Sequence, residues 1–411
     1  MKKIILSFIT LFVFGIVSTV SAQEFDVAAK HAIAVEATTG KILYEKDANQ
    51  PVEIASITKL VTVYLVYEAL EQGTISLSTP VDISDYPYKL TTNSEASNVP
   101  MEARNYTVEQ LLEATMVSSA NSAAIALAEK IAGSEKDFVD KMRAKLLEWG
   151  IQDATIVNTT GLNNETLGDN IYPGSKKDDE NKLSAYDVAI VARNLIRDYP
   201  QVLDITKKPT STFAGLEIHS TNYMLEGMPA YRGGIDGLKT GTTDKAGASF
   251  VGTTVEKGMR IITVVLNADQ QDTNPYARFT ATSALLDYIS ANFALKTVVQ
   301  KGETYKDSKV TVLDGKEDKV AAIAKSDIAI VQRVGRETTS ALQFTPKSEI
   351  APLEEGKVVG TLTYDDQDLV GQGYLTSEKP SFEMVAEKKV EKAFFLKVWW
   401  NQFIRFINEK L

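Results

Sequence analysis

The residues able to do chemistry fall in three short runs. The first, "EIASITKLVTVYLV" from Glu53 to Val66, sets Ser56 and Lys59 three positions apart, on one face of a helix. Around them Ile57, Leu60, Val61, Val63, Leu65 and Val66 are apolar on nearly every side, which is the pattern of a helix inside a domain. A serine hydroxyl is a weak nucleophile and needs an adjacent base. A lysine can be that base only while it is neutral, and apolar surroundings or a second cation push it that way. The same residues allow a plainer reading, in which Ser56 caps the helix and Lys59 extends its amine to water. The second run, "SSAN", puts Ser119 and Asn121 at a polar break between two helical patterns, where either can cap the next helix. The third gives Lys239, Thr240 and Gly241, then Thr242; alone it reads as a solvated lysine before a turn glycine.

Composition removes several competing chemistries. The 411 residues contain no cysteine, so neither a disulfide nor a thiolate metal site can form. His31 and His219 are the only imidazoles, which argues against a histidine zinc site and leaves little for a Ser-His-Asp triad. His219, shortly before the third run, reads as a structural or loop residue. A net charge of −10 argues against nucleic-acid binding through a basic surface.

The elements that must position these residues can be read around them. "HAIAVEATTGKILYEKD", His31 to Asp47, predicts two strands about a turn ending at Gly40. Helices are expected over Thr107 to Met116, Asn121 to Ile131, Asp137 to Trp149 and Ala185 to Arg197, with Thr107 and Gln110 as a capping box and Gly133 as a stop. Gly161 to Lys182 is polar and rich in turn formers, hence a loop. Late strands turn at Glu256-Lys257-Gly258, and a helix from Tyr276 to Phe293 follows. Early strands, a helical middle, late strands and a closing helix predict an α+β domain with an antiparallel sheet. From about Leu295 to Val385, short β-rich runs separated by turn signals predict an all-β module.

Both ends of the chain differ from its middle. The start, with two lysines, an apolar stretch from Ile4 to Val17 and small residues at Val20-Ser21-Ala22, reads as a secretory signal peptide cleaved after Ala22. The last residues, Val390 to Leu411, predict an amphipathic helix. Phe395, Leu396, Trp399, Trp400, Phe403, Ile404, Phe406 and Ile407 share one half of its wheel. Lys397, Asn401, Gln402, Arg405, Asn408 and Glu409 share the other, with Phe394 and Val398 straying onto the polar side. Too charged to span a bilayer, it suits the plane of a membrane surface. Docking on its own protein or on a second copy are the other readings. The expected division is a signal peptide at 1–22, a catalytic domain at 23–294, an all-β domain at 295–388 and an amphipathic membrane-anchoring helix at 389–411.

Taken in order, Ser-x-x-Lys, Ser-x-Asn and Lys-Thr-Gly resemble the signature of penicillin-binding proteins and serine β-lactamases. "NTTGL" (Asn158 to Leu162), "LSAYDVAIVAR" (Leu183 to Arg193) and the residues flanking the second and third runs resemble low-molecular-mass D-alanyl-D-alanine carboxypeptidases, most of all streptococcal ones. The resemblance implies that Ser56 is the nucleophile, Lys59 its base, and Ser119 a proton relay to the leaving amine. It implies that Asn121 holds the substrate amide and that Lys239, Thr240 and Thr242 bind the terminal carboxylate. Gly241 would let the strand approach, and the backbone N–H groups of Ser56 and Thr242 would form the oxyanion hole. The implied substrate is a peptidoglycan stem pentapeptide ending in D-Ala-D-Ala, with β-lactams as covalent inhibitors and no metal or organic cofactor. Trimming it would limit wall cross-linking, on the extracytoplasmic face of the membrane.

Two other functions fit parts of the pattern. A serine β-lactamase would use Glu180, in "ENKLS", for deacylation, but the position of Glu180 between Ser119 and Lys239 departs from that family's layout. A catalytically retired wall-binding protein would not need all three runs intact. Arg278, after the late strands, could assist carboxylate binding and is left outside the catalytic set.

Overall fold

The computed structural model describes residues 25–336, 341–377 and 379–410. The expected signal peptide lies outside the described residues. Five strands, β1 (Ala29–Glu36), β2 (Ile42–Lys46), β3 (Ile235–Gly241), β4 (Ser249–Glu256) and β5 (Met259–Ala268), form one antiparallel sheet in the order β2-β1-β5-β4-β3. Both of its faces are covered, so its strands read as apolar runs with little alternation. Ile33 and Val35 of β1 join one core, while Ala32 and Ala34 point into another with Phe250, Leu285 and Leu286.

The first core is filled by α1 (Lys59–Glu71), α2 (Val108–Val117), α3 (Asn121–Ala132), α4 (Glu135–Glu148) and α5 (Ala185–Asp198). The second is closed by α6 (Ala277–Asn292). Helix α1 is buried around most of its circumference, as its sequence demands. The capping box of Thr107 and Gln110 is formed, and Gly133 ends α3 at φ 83°, a left-handed conformation that glycine adopts without strain. The loop Gly161–Lys182 carries two short 3₁₀ turns within Asn164–Asn170, separated by a kink at Gly168 (φ 60°).

Beyond α6 the chain is all β until its last helix. Strand β6 (Phe293–Val299) pairs with β9 (Ile328–Arg333). Strands β7 (Thr304–Leu313), β8 (Lys319–Ala324), β10 (Ala341–Pro346), β11 (Val358–Asp365) and β12 (Ser381–Ala386) form a sheet ordered β10-β11-β12-β8-β7, to which Glu349–Ile350 adds in parallel beside β7. Val310, Val312, Leu353, Val359, Leu362 and Met384 make its small core. The two parts are tied together. Ile42 N–H donates to Gly373 C=O at 2.8 Å, Leu375 N–H donates to Gly40 C=O at 2.9 Å, and the buried Lys41 Nζ meets Asp366 Oδ2 at 2.6 Å.

The last helix, α7 (Phe395–Lys410), is shorter than the expected Val390 to Leu411. Val390 is buried and pairs its backbone with Leu353, and Lys392 bridges to Gly315, so these residues belong to the β module. The polar face of α7 is the one turned to the protein. Lys397 Nζ donates to Gly315 C=O at 3.1 Å and Asp318 Oδ1 at 2.9 Å, and Arg405 donates to both oxygens of the buried Asp314. Val398, astray on the polar half of the wheel, is buried at 8% exposure because that half is the packed one. Phe395, Trp399, Trp400 and Phe406 are exposed on the other. No helix among the described residues is long and apolar enough to cross a membrane.

Candidate active site

Ser56 does not cap α1. It sits in a 3₁₀ turn, Ala55–Thr58, that leads into α1 at Lys59, and no side chain makes a capping bond there. Ala55 before it has φ 48°, a left-handed conformation uncommon for alanine. Two glycines let this turn sit where it does. A Cβ on Gly161 would lie 1.7 Å from Ala55 C=O, and one on Gly241 would lie 2.6 Å from Ile54 C=O, so the loop and the end of β3 approach as bare backbone.

Lys59 is fully buried, which excludes the reading in which its amine reaches water. Its Nζ lies 2.9 Å from Ser56 Oγ, 2.7 Å from Asn121 Oδ1 and 2.9 Å from Thr160 C=O. A neutral amine has two N–H donors and one lone pair. Asn121 and Thr160 accept the two donors, which leaves the lone pair for the Ser56 hydroxyl. Burial holds the Lys59 amine well below the usual lysine value, and the charge of Lys239 pushes it further down. Among the described residues no carboxylate pairs with it.

The other two motifs meet this pair. Ser119 joins α2 to α3 at φ 59°, and it lines a cleft of about 200 Å³ together with Ser56, Thr240, Thr242 and Arg278. Lys239 is buried in β3 with its amine on Thr240 C=O at 3.2 Å, and burial first, then Arg278, lowers its pKa to about 7. Arg278 donates to Gly241 C=O at 2.8 Å, Ser249 C=O at 3.1 Å and Thr242 Oγ1 at 2.8 Å, which brings this residue to the cleft wall. Asn121 is 1% exposed, and both ends of its amide are engaged, Oδ1 by Lys59 and Nδ2 by Ser97 C=O at 2.8 Å. It orients the lysine here. His219 is exposed at the end of the short strand Leu216–His219, paired with Thr210, and its C=O accepts from the Ser118 hydroxyl.

Sequence reasoning missed the layer behind these groups. Asn158 Oδ1 accepts from Thr160 N–H and Gly161 N–H, at 3.2 and 2.7 Å, and so aims Thr160 C=O at the lysine. The buried Glu135 accepts from Thr159 N–H and Oγ1, and Asn98 Oδ1 accepts from Ser122 N–H. Thr221 Oγ1 lies 2.6 Å from Thr240 Oγ1. Asn158 and Thr160 lie in the run "NTTGL", so their positions were visible but their role as acceptors was not. Among the described residues no cluster of acidic or histidine side chains could hold a metal ion.

Known proteins are similar to this chain in sequence and fold. Residues 17–270 match the D-alanyl-D-alanine carboxypeptidase family, and 293–392 match the C-terminal domain of penicillin-binding protein 5. The carboxypeptidase DacF of Bacillus subtilis is 29% identical over 90% of this chain and 87% of its own. Among solved structures, a peptidoglycan synthesis regulatory factor (PBP3) from Streptococcus pneumoniae is 79% identical, with TM-score 0.88 over 89% of this chain and all of that one. Penicillin-binding protein 5 from Haemophilus influenzae is 25% identical, with TM-score 0.69 over 90% of this chain and 99% of its own. The streptococcal resemblance, the α+β catalytic fold and the all-β module expected from the sequence are therefore borne out, and the chain belongs to the serine-type D-alanyl-D-alanine carboxypeptidase family.

Proposed function

We propose that Ser56 attacks the penultimate carbonyl of a stem pentapeptide ending in D-Ala-D-Ala, with Lys59 as general base. The Ser56 Oγ–H proton passes to Lys59 Nζ as the C–O bond forms. The backbone N–H groups of Ser56 and Thr242 stabilise the oxyanion. Ser119 relays that proton from Lys59 Nζ to the departing amine as the C–N bond breaks, D-alanine leaves, and water cleaves the ester. Lys239, Thr240, Thr242 and Arg278 receive the terminal carboxylate, and Gly241 keeps a side chain out of the substrate's way. The observation that carries this reading is the sealed Lys59 amine at 2.9 Å from Ser56 Oγ, its other contacts being neutral acceptors. Incubation with a D-Ala-D-Ala pentapeptide should release D-alanine from the wild type and none from Ser56→Ala; equal release from both defeats the proposal.

β-Lactams should acylate the same serine. A long-lived mass adduct on Ser56 after exposure to penicillin is expected, whereas rapid turnover would mark a β-lactamase. Glu180 gives that alternative little help, because its oxygens accept from Asn163 Nδ2 at 3.2 Å and Thr243 Oγ1 at 2.6 Å. A retired wall-binding protein remains the second alternative, and it predicts that Ser56→Ala fully restores the wall of a deletion strain.

The proposed arrangement places residues 23–294 at the wall as catalytic domain, with 295–388 as a pedestal after a cleaved signal peptide at 1–22. The segment 389–411 supplies the membrane anchor. The exposed face of α7 supports peripheral attachment at the extracytoplasmic surface, since its aromatic residues suit the interface. Deleting residues 395–411 should release the protein from anionic vesicles; a truncated form that stays bound refutes the anchor.

A further inference from the structure

A cleft of about 200 Å³, separate from the catalytic one, lies where α5 faces the β module. Trp149, Arg193, Asn194 and Arg197 line it from one part of the chain, and Leu375 and Thr376 from the other. Arg193 and Arg197 stand four positions apart on α5, on one helix face, where like charges repel. Arg197 has a counter-charge, since Asp198 accepts from its Nε at 2.7 Å and its Nη2 at 2.9 Å. Arg193 donates only to carbonyls, Nε to Ala37 C=O at 2.7 Å and Nη2 to Thr38 C=O at 2.9 Å. The neighbouring Glu36 carboxylate is taken by Thr38 N–H and by Thr39, and no carboxylate among the described residues pairs with Arg193. Burial first, then the charge of Arg197, lowers the Arg193 pKa, as expected for a cation short of an anion.

Asn194, between the two arginines, adds a second observation. It is 6% exposed, yet its side-chain amide has no hydrogen-bond partner among the described residues. A buried amide left unpaired is costly, and the cleft is the open space that Asn194 lines. Each guanidinium has five N–H donors and spends two on the contacts above, so each keeps three. With the Asn194 amide and the Thr376 hydroxyl, the walls hold more donors than the roughly four acceptor sites of a carboxylate can use, whereas a phosphoryl group offers three oxygens. The cleft is smaller than the space that usually encloses a whole ligand, about 300–1,000 Å³, so it takes one charged group and leaves the rest of the ligand outside. We propose that this cleft binds a phosphate ester, its phosphoryl group held by Arg193, Arg197 and Asn194 against the β module. The site does not depend on the chemistry at Ser56.

Calorimetric titration of the full chain tests this, at constant ionic strength and after treatment with penicillin to fill the catalytic cleft. The probes are inorganic phosphate, dimethyl phosphate and acetate. Inorganic phosphate should bind saturably, and acetate more weakly by about tenfold. Asn194→Leu and Arg197→Gln should each weaken phosphate by about tenfold or more, the usual weight of a hydrogen bond to a charged group. Unchanged near-ultraviolet circular dichroism checks that each variant is folded. The exposed Arg197→Gln keeps the test decisive if the buried Asn194→Leu does not fold. Dimethyl phosphate binding as tightly as inorganic phosphate supports the site and identifies a diester-linked chain as the source; its exclusion supports the site and identifies a terminal monoester. Absence of saturable phosphate binding overturns the proposal. So does acetate binding as tightly as phosphate, or phosphate binding to folded variants with wild-type affinity.

Discussion

Of the three lysines sealed inside the described residues, two make a contrast, Lys59 in the catalytic cleft and Lys41 where the β module meets the catalytic sheet. Lys41 lies 2.6 Å from Asp366 Oδ2 and donates to Val331 C=O at 3.1 Å. Lys59 meets a hydroxyl, an amide oxygen and a peptide carbonyl. Burial is the same in both, at 1% exposure or less. The difference is the counter-charge. A carboxylate at ion-pair distance holds the first ammonium in place as a joint between domains. Without one, desolvation and the Lys239 charge favour the neutral amine, which can take a proton. Burial alone does not make a base; burial without an anion does.

The largest effect should come from deleting each amine in turn. Lys59→Gln should lower penicillin acylation by about 10²–10⁴-fold, the usual contribution of a positioned general base. Lys41→Met takes the cation from the buried Asp366, which keeps the Tyr374 hydroxyl and Asp368 N–H as donors, and should destabilise the fold by about 3–5 kcal/mol, with acylation per folded molecule unchanged. Calorimetry paired with stopped-flow acylation distinguishes them, and a Lys41→Met enzyme as slow as Lys59→Gln would erase the contrast. A smaller change converts one setting into the other. Asn121→Asp gives Lys59 a carboxylate where Asn121 Oδ1 now lies at 2.7 Å. Its pKa should rise, moving the acid limb of kcat/KM to higher pH, with about a tenfold loss at neutral pH for each unit moved. An unshifted limb would mean that the lysine proton is not the one being read.

Much of this contrast was legible beforehand, and the reasons are local. Helix α1 is apolar all round, which made a buried Lys59 one of two readings beside an amine extended to water, and the spacing to Ser56 put hydroxyl and amine within reach. What failed was the shape of the turn. The left-handed Ala55 and the 3₁₀ geometry at Ser56 depend on Gly161 and Gly241 arriving from distant parts of the chain, and no local propensity encodes that. Asn121 was expected to hold the substrate amide; its contacts to Lys59 and to Ser97, a loop residue with no periodic signal, were not visible in the sequence. Likewise Lys41 reads as an ordinary hairpin lysine, because its partner lies 325 positions later, at Asp366. At the C-terminus the wheel of α7 was legible, but its first turn was not, since Val390 and Lys392 are claimed by bridges to Leu353 and Gly315.

The mildest test uses the third buried lysine, which lies between the two extremes. Lys239 also has a backbone carbonyl as its partner, and its pKa is lowered to about 7. The unfolded chain therefore binds more protons than the fold between about 7 and 10.5 at this position. Its burial penalises the free protein below about 7, and the penalty is relieved as pH rises to 10.5. Function should run the other way. The free enzyme loses the Lys239 charge above about 7 and with it attraction for a carboxylate, so kcat/KM should fall on that side. A bound carboxylate supplies the missing anion and raises the pKa, so the limb in kcat should lie higher than the limb in kcat/KM. In Lys239→Arg the cation persists, and the difference between wild type and variant should be a few-fold, visible in KM at alkaline pH and absent from kcat. Coincident limbs in kcat and kcat/KM for the wild type would place Lys239 with Lys41, as a lysine whose charge the reaction does not use.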